Sequence, residues 1–525
     1  MATTNYNLYV DWNNDNDYSD ADENISSYIQ NIEWERGRDL ANNLTGSSVS
    51  GVLKVTLRNT SNIFSSFNSS SDLFGNILPS RTVKLQMGGG SFPYTFPFSF
   101  NTDQWTGYLE SLVPFPDMQG NNIAILTAVG SLAFLNKKTI KVAPQSNRRT
   151  DLAIGDILDA AGWGASDRDL DEGNTTITRF TIPQNTKTID ALKMVEKSEN
   201  GFISETKDGK IKYEKRQARL LDSNATTSQA TLSDATNASN FSFNLIEQED
   251  NLINIVNEVT VDVKFFSTDS DADIVWVHAE TGSDSPSIPA GQSRIYRASF
   301  PQLTSDTTQT LYTSADSINA WTTTAATTDV LANLSADGTG TNATSDLTIV
   351  NTKTSNFMDI KLTNGNASTV FITKLQARAT VTRSTDMTQI TANDTTSETA
   401  FGKRVFNGDA PFLPNSEEAF RWCQYNLVRY KDPLQMLKVT IPANRNDTTL
   451  DAIMSLDISD RITLDTHTKT GLMSADKDFF IESISHFVAS KDNHTVQYTL
   501  SPVGSLTKFW VLGISLLESE TYIGY

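Results

Sequence analysis

Cysteine is almost missing from this chain. A single residue, Cys423, stands among 525, which excludes an internal disulfide framework and any cysteine-rich zinc site. Cys423 falls in an amphipathic segment, where a buried small hydrophobe is the expected role rather than a nucleophile. Histidine is scarce too: His278, His467, His486 and His494 are scattered, with no H-E-x-x-H or triad spacing. His467 and His486 lie in strand-like segments and read as surface or interface residues. No run of about 18 apolar residues is present to span a bilayer. The opening MATTNYNLYVDW lacks the charged-then-apolar pattern of a secretory signal. The expectation is synthesis in the cytoplasm, with any extracellular role requiring another export route, such as lysis.

Charge of positive sign is also in short supply. Forty-two Lys and Arg face 62 Asp and Glu, leaving a formal net charge of -20. Tight duplex binding needs cations that displace counterions, so this balance argues against it. An acidic surface can still line a passage through which a polyanion slides without sticking, because like charges repel.

Catalytic signatures are missing as well. GSLAFL and GLMSAD lack the G-x-S-x-G elbow, and MGGGSF is a turn without the phosphate-loop lysine. The pairs Asp169/Asp171 and Glu417/Glu418 have the residue types of a glycosidase, but 62 acids produce such pairs by chance. The chain reads as non-enzymatic, with no catalytic, cofactor-binding or metal residues assigned and no cofactor expected.

What the chain does have is aromatic surface, with 26 Phe, 14 Tyr and 8 Trp, set in a background rich in Thr, Ser and Asn. That composition favours extended, β-rich structure over disorder. The length implies about two to four domains. Residues 1–149 read as strands between turns, among them NLYVDW, SYIQNIEW and the cleanly alternating SGVLKVTLRN. Residues 150–222 read as a small α+β unit. A first helix there places Leu152, Ile154, Ile157, Leu158 and Ala161 on one face. A second carries Ile189, Leu192, Met194 and Val195 and stops at Asn200–Gly201, and a hairpin turns on Asp208–Gly209. Residues 223–263 supply strands leading into or joining a second strand-rich region. Residues 264–385 read as an inserted β-sandwich, in which Trp276 is either a sugar platform or, more commonly for a lone strand Trp, part of the core. Residues 386–525 return to strands after one strong helix near 416–431. Asn415 is its N-cap, Glu418 completes a capping box, Phe420, Cys423, Leu427 and Tyr430 form its buried stripe, and Pro433 sets its end. The apolar closing stretch WVLGISLLESETYIGY is expected to be covered by a partner or by the fold.

One loop stands apart. In DWNNDNDYSDAD, Asp11, Asn13 and Asp15 occupy the first, third and fifth places of a calcium loop. The sixth place holds Asn16 instead of glycine, and the twelfth holds Asp22 instead of glutamate, with Glu23 one place late. The flanks are strand-like where an EF-hand needs helices, so the loop reads as a solvated turn at the rim of the first strand-rich region.

Several stretches taken together resemble the tail hub proteins, often labelled minor tail or baseplate-hub proteins, of tailed bacteriophages. They are VDWNNDNDYSDADENI, IEWERGRDLANNLTGSSVSGVLKVTLRN, FSSFNSSSDLFGNILPSRTVKLQ, GYLESLVPFP, LDAAGWGASDRDLDEGNTTITRF, MVEKSENGFISETKDGKIKYEKRQAR and the closing DRITL with FFIESISHFVASKDNHTVQYTLSP. The resemblance covers all but the inserted sandwich. It implies a mainly β chain with two tube-like β-barrel domains, 1–149 and 386–525, a peripheral α+β domain and the inserted β-sandwich. It further implies a homotrimeric ring at the distal end of the tail tube, in the virion. The partners implied are the tail tube or distal tail protein, the tape-measure protein, and tail tip or fibre proteins, with DNA passing transiently and without specific binding. Host-surface glycan recognition through the inserted sandwich is the alternative.

Overall fold

The computed structural model describes residues 2–39, 47–89, 102–118, 120–235, 241–250, 255–279, 285–300, 317–354, 357–466, 469–473, 475–505, 509–510 and 522–523. The fold is mainly β. Its largest sheet has 13 strands, in the order Thr4–Val10, Thr82–Gly89, Thr102–Phe115, Ile123–Val129, Ser47–Arg58, Ile29–Asp39, Lys477–Ser490, Arg461–Asp465, Ser228–Ser233 and Phe241–Ser242. On its other edge Lys477–Ser490 pairs with Asn493–Pro502, which leads to Gln435–Pro442 and then Leu245–Asp250.

The two expected barrels are not closed: among the described residues no sheet returns on itself. The reason is edge pairing. For the first region to close, Ile29–Asp39 would have to meet Thr4–Val10 at the far end of its sheet. Its outer edge is instead taken by Lys477–Ser490, in a register that sets Trp34 opposite His486. The first and last parts of the chain therefore share one sheet and one apolar core, in which Leu8, Leu53 and Leu126 join Val439, Ile462 and Tyr498. Backbone bonds from the Thr4 amide to the Lys491 carbonyl, and from Ala2 to Asn444, reinforce the union. Of the strands at 223–263, Ser228–Ser233 and Leu245–Asp250 join this sheet. Glu258–Val263 does not; it lies between Thr388–Asn393 and Val405–Gly408 in a separate three-stranded sheet.

The α+β unit has its own core. The helix Thr150–Ala160 buries Ile154, Ile157 and Leu158, while Leu152 is 42% exposed and lies off the expected face. The helix Thr188–Glu199 buries Leu192 and Val195, leaves Ile189 and Met194 half-buried, and ends with Asn200 in the left-handed conformation, φ 57°. The hairpin of Phe202–Glu205 and Ile211–Glu214 turns at Gly209 as anticipated.

The inserted region contains two sheets over a shared core. Val370–Ser384 is the hub of one, and the other runs Ser293–Ser299, Phe357–Asn364, Leu347–Lys353. Trp276 is 8% exposed and belongs to that core, so its face is not a free platform.

The helix Ser416–Tyr430 covers the three-stranded sheet. Asn415 caps it, its side chain accepting from the Glu418 amide at 2.8 Å. The capping box is not reciprocal: the Glu418 carboxylate instead receives Arg216 Nη2 at 2.8 Å. Cys423, Leu427 and Tyr430 are buried as expected, but Phe420 is exposed and Trp422 takes the core place. The Trp422 indole donates to the Lys197 carbonyl at 2.8 Å, docking the helix onto the α+β unit. Cys423 is fully buried, and burial pushes its thiol up to about 12. Most of the closing stretch 510–525 falls outside the described residues, as does His467.

Candidate functional site

Three regions combine ionisable groups with defined geometry. The first is the seam between the first and last parts of the chain. Strand alternation on Lys477–Ser490 turns Ile484, His486 and Val488 to the same inner face. His486 is thus buried, not at the surface as its sequence context suggested. Its ring stacks on Trp34 at 4.1 Å with an interplanar angle of 5°. His486 Nδ1 is 3.0 Å from His494 Nε2, and His494 Nδ1 is 3.3 Å from the Thr4 hydroxyl. Burial lowers the His494 pKa to about 3. It also lowers that of His486, where the charges of His494, Lys207 and Arg36 add to the effect. The pair is neutral near pH 7, with one proton bridging the two rings.

The second region is a buried charge cluster at the meeting point of four chain segments. Glu482, on the seam strand, accepts Arg219 Nη1 at 2.5 Å, Arg219 Nη2 at 2.8 Å and the Ser501 hydroxyl at 2.5 Å. Arg38 Nη1 lies 3.8 Å away, its guanidinium 3.2 Å from the centre of the Phe202 ring. Burial alone would raise the Glu482 carboxyl, but Arg219, Arg38 and Arg429 override it and hold the group well below the usual carboxylate range. Arg219 also donates to Ser459 Oγ, which in turn donates to Glu214 at 2.6 Å. Beside this cluster is a cavity of about 160 Å3, lined among others by Arg38, Glu196, Arg219, Trp422, Arg429 and Tyr430. Burial pushes the Glu196 carboxyl up to about 7. The members come from the first strands, the α+β unit, the 416–430 helix and the last strands, so the arrangement locks those parts together.

The third region is the loop between Thr4–Val10 and Ile29–Asp39. Asp11 is buried and accepts from the amides of Asn14, Asp15 and Asn16, at 2.5, 3.1 and 3.0 Å, and from the Thr82 hydroxyl at 3.3 Å. Asn16 has φ 69°, the left-handed conformation that glycine would supply at the sixth place of a calcium loop. Asp22 is exposed; Glu23 is the residue that turns inward. Carboxylate oxygens of Asp11, Asp15 and Glu23 lie within 4.8 Å of one another.

Three of the four acids considered for hydrolysis have structural partners. Asp171 accepts from the Lys215 amide at 3.2 Å, Glu417 pairs with Arg421 one turn along, and Glu418 pairs with Arg216. The surface itself carries two features suited to partners. Leu245–Asp250 ends the large sheet and, among the described residues, pairs only with Gln435–Pro442, leaving an open edge. Elsewhere on the surface, Phe67, Phe74, Leu78 and Met118, with Phe115 at a strand end, project at or beside turns that Asn122 Nδ2 and Asn62 Oδ1 link at 3.1 Å. Phe67 and Met118 are almost wholly exposed.

No family model matches the chain, and no curated protein matches it in sequence. Solved structures do. The fold is similar to that of the tail protein from Neisseria meningitidis MC58, with 10% identity, 96% of this chain and 98% of that chain covered, and a TM-score of 0.50. The 43 kDa tail protein of prophage MuSo2 from Shewanella oneidensis matches with 9% identity over 96% and 99% of the two chains, TM-score 0.47. Prophage tail protein gp18 from Listeria monocytogenes matches with 6% identity over 94% of each chain, TM-score 0.41. The likeness to the Neisseria tail protein is one of fold, and it extends across nearly the whole of both chains.

Proposed function

We propose that this chain is a structural tail protein of a tailed phage or phage-like particle, acting as the hub that closes the distal end of the tail tube. The observation that carries the reading is the fold shared with the Neisseria tail protein over 96% of this chain and 98% of that one. In this reading residues 1–149 and 386–525 are the two tube-facing modules, fused here into one sheet. Residues 150–222 sit at the periphery, 223–263 lead into the second module, and 264–385 form the inserted sandwich. Copies of the chain assemble as a homotrimeric ring, so that two modules per chain present a near-sixfold surface to a hexameric tube.

The physical case for assembly is the unfinished surface. An open sheet edge at Leu245–Asp250 and exposed aromatic side chains on the turns bearing Phe67 and Phe74 are features that association covers. A net charge of -20 suits a channel wall that DNA passes without adhering. The ring would connect the tube to tip or fibre proteins and receive the end of the tape-measure protein. The work is done by interface geometry and gating, with no bond made or broken. Native mass spectrometry and electron microscopy of the full chain test this: a trimeric ring is expected, and a stable monomer at every concentration overturns it.

A further inference from the structure

The loop that opens the chain contains more than its hydrogen-bond pattern requires. Asp11 is 0% exposed and Glu23 1% exposed, yet both carboxylates face the same small space as Asp15. Asp11 is fixed there by three backbone amides and the Thr82 hydroxyl, which orient its carboxylate. Glu23 Oε2 accepts from the Asp20 amide at 3.1 Å, but its Oε1 is buried with no hydrogen-bond partner. Buried acceptors are nearly always satisfied, and an orphaned carboxylate oxygen is costly. Among the described residues no Lys or Arg pairs with any of the three. Carboxylate oxygens of Asp11, Asp15 and Glu23 stand within 4.8 Å of one another, so their charges repel. A cation would relieve both the unpaired oxygen and the mutual repulsion.

We propose that Asp11, Asp15 and Glu23 hold a hard divalent cation, calcium by the character of the donors. All three ligands are carboxylate oxygens, which suit calcium, magnesium or manganese rather than zinc or copper. Backbone carbonyls and water would supply the remaining oxygens of an ion that takes about six to eight. Magnesium, which demands near-ideal octahedral geometry and retains water, fits an irregular carboxylate loop less well. The loop reaches this arrangement without flanking helices. The Val10 amide bonds to the Glu23 carbonyl at 3.0 Å and the Ile25 amide to the Leu8 carbonyl at 3.0 Å. That pairing fixes Glu23 inward as the far wall. A bound ion would therefore clamp the end of the first strand to the segment that leads into the second.

Calcium chloride titrated into the full chain, followed by calorimetry and by the melting temperature, tests the site. The wild type should bind one ion per chain and melt higher as calcium rises, and magnesium should act more weakly. Glu23→Gln should lose at least about tenfold in affinity, while its ion-free melting temperature stays at or above the wild type's because a buried unpaired charge has gone. Asp15→Asn, altering an exposed side chain, should also weaken binding and decides the matter if Glu23→Gln fails to fold. Equal responses of wild type and both variants, or no response up to about 10 mM calcium, the range of the weakest ordinary calcium loops and beyond, would overturn the assignment.

Discussion

His486 Nδ1 and His494 Nε2 share a hydrogen bond of 3.0 Å inside the seam, beneath the indole of Trp34. The unfolded chain protonates each ring near pH 6.5, whereas the folded chain protonates His494 only at about 3 and His486 well below 6.5. Between those values the unfolded state holds more protons, so stability falls as pH drops below 6.5, and the His494 share of the loss is complete near pH 3. Each ring contributes a slope of about 1.4 kcal/mol per pH unit across its window. Urea unfolding from pH 8 to pH 4.5 should show this loss, and His494→Gln should make it shallower by about one proton. An unchanged slope in the variant would show that the ring already protonates in the fold.

Glu482 bonds to Arg219, lies 3.8 Å from Arg38 and is acted on by Arg429, so Glu482→Gln leaves buried guanidiniums without their main counter-charge. Removing one partner of a buried pair costs about 3–5 kcal/mol. The expected result is a large drop in unfolding midpoint, or no folded protein. Asp359→Asn is the control. Its bidentate pair with Arg297, at 2.7 and 2.8 Å, lies at the surface, and its loss should leave the midpoint nearly unchanged. Similar effects in the two variants would mean the cluster is wetter than its geometry indicates.

These two sites also show where sequence reasoning reaches and where it stops. Local periodicity located the helix at 150–160 and most of its buried face, since Ile154, Ile157 and Leu158 follow the 3.6-residue repeat. It erred on Phe420 because the winning side chain, Trp422, fits a hole made elsewhere: a Cβ on Gly408 would lie 2.1 Å from the Trp422 ring. It placed Asp22 in the calcium-loop register because that register assumes helical flanks; strand pairing with Val10 re-phases the alternation and selects Glu23. His486 was legible in principle, sharing the parity of Ile484 and Val488. The Glu482 cluster was not, since Arg219 and Glu482 are 263 positions apart. Nor was the single sheet, because nothing in either strand-rich region specifies which edge its neighbour will be.

The apolar turns bearing Phe67 and Met118 give the ring proposal a sharper test. Both side chains are almost wholly exposed, so Phe67→Ser with Met118→Ser should leave the melting temperature of the isolated chain within about a degree or two of the wild type. Exposed aromatic and Met side chains are the usual anchors of interfaces. Sedimentation velocity should therefore show the double variant shifted towards monomer at concentrations where the wild type associates. Unaltered association would move the contact to the Leu245–Asp250 edge.

Gly130 sits where the large sheet hands over to the α+β unit, and its constraint is steric. Its backbone is ordinary, φ -71° and ψ 178°, so an alanine is not strained by conformation. An added Cβ would, however, lie 2.0 Å from Glu205 Oε2. That carboxylate cannot swing aside cheaply, because the Gly51 amide at 2.6 Å, the Ser50 hydroxyl at 2.9 Å and the Leu132 amide all bond to it in a buried site. Gly130→Ala must either break those bonds or shift the strand, and overpacking of this kind costs about 1–3 kcal/mol. Gly504→Ala, where nothing lies within 4 Å of the new methyl, should be neutral by comparison. Chemical denaturation of the two variants side by side measures the difference. If Glu205→Gln, which keeps the size but weakens the three bonds, restores part of the Gly130→Ala loss, the carboxylate is the obstacle. If it deepens the loss additively, the clash is absorbed by the backbone instead.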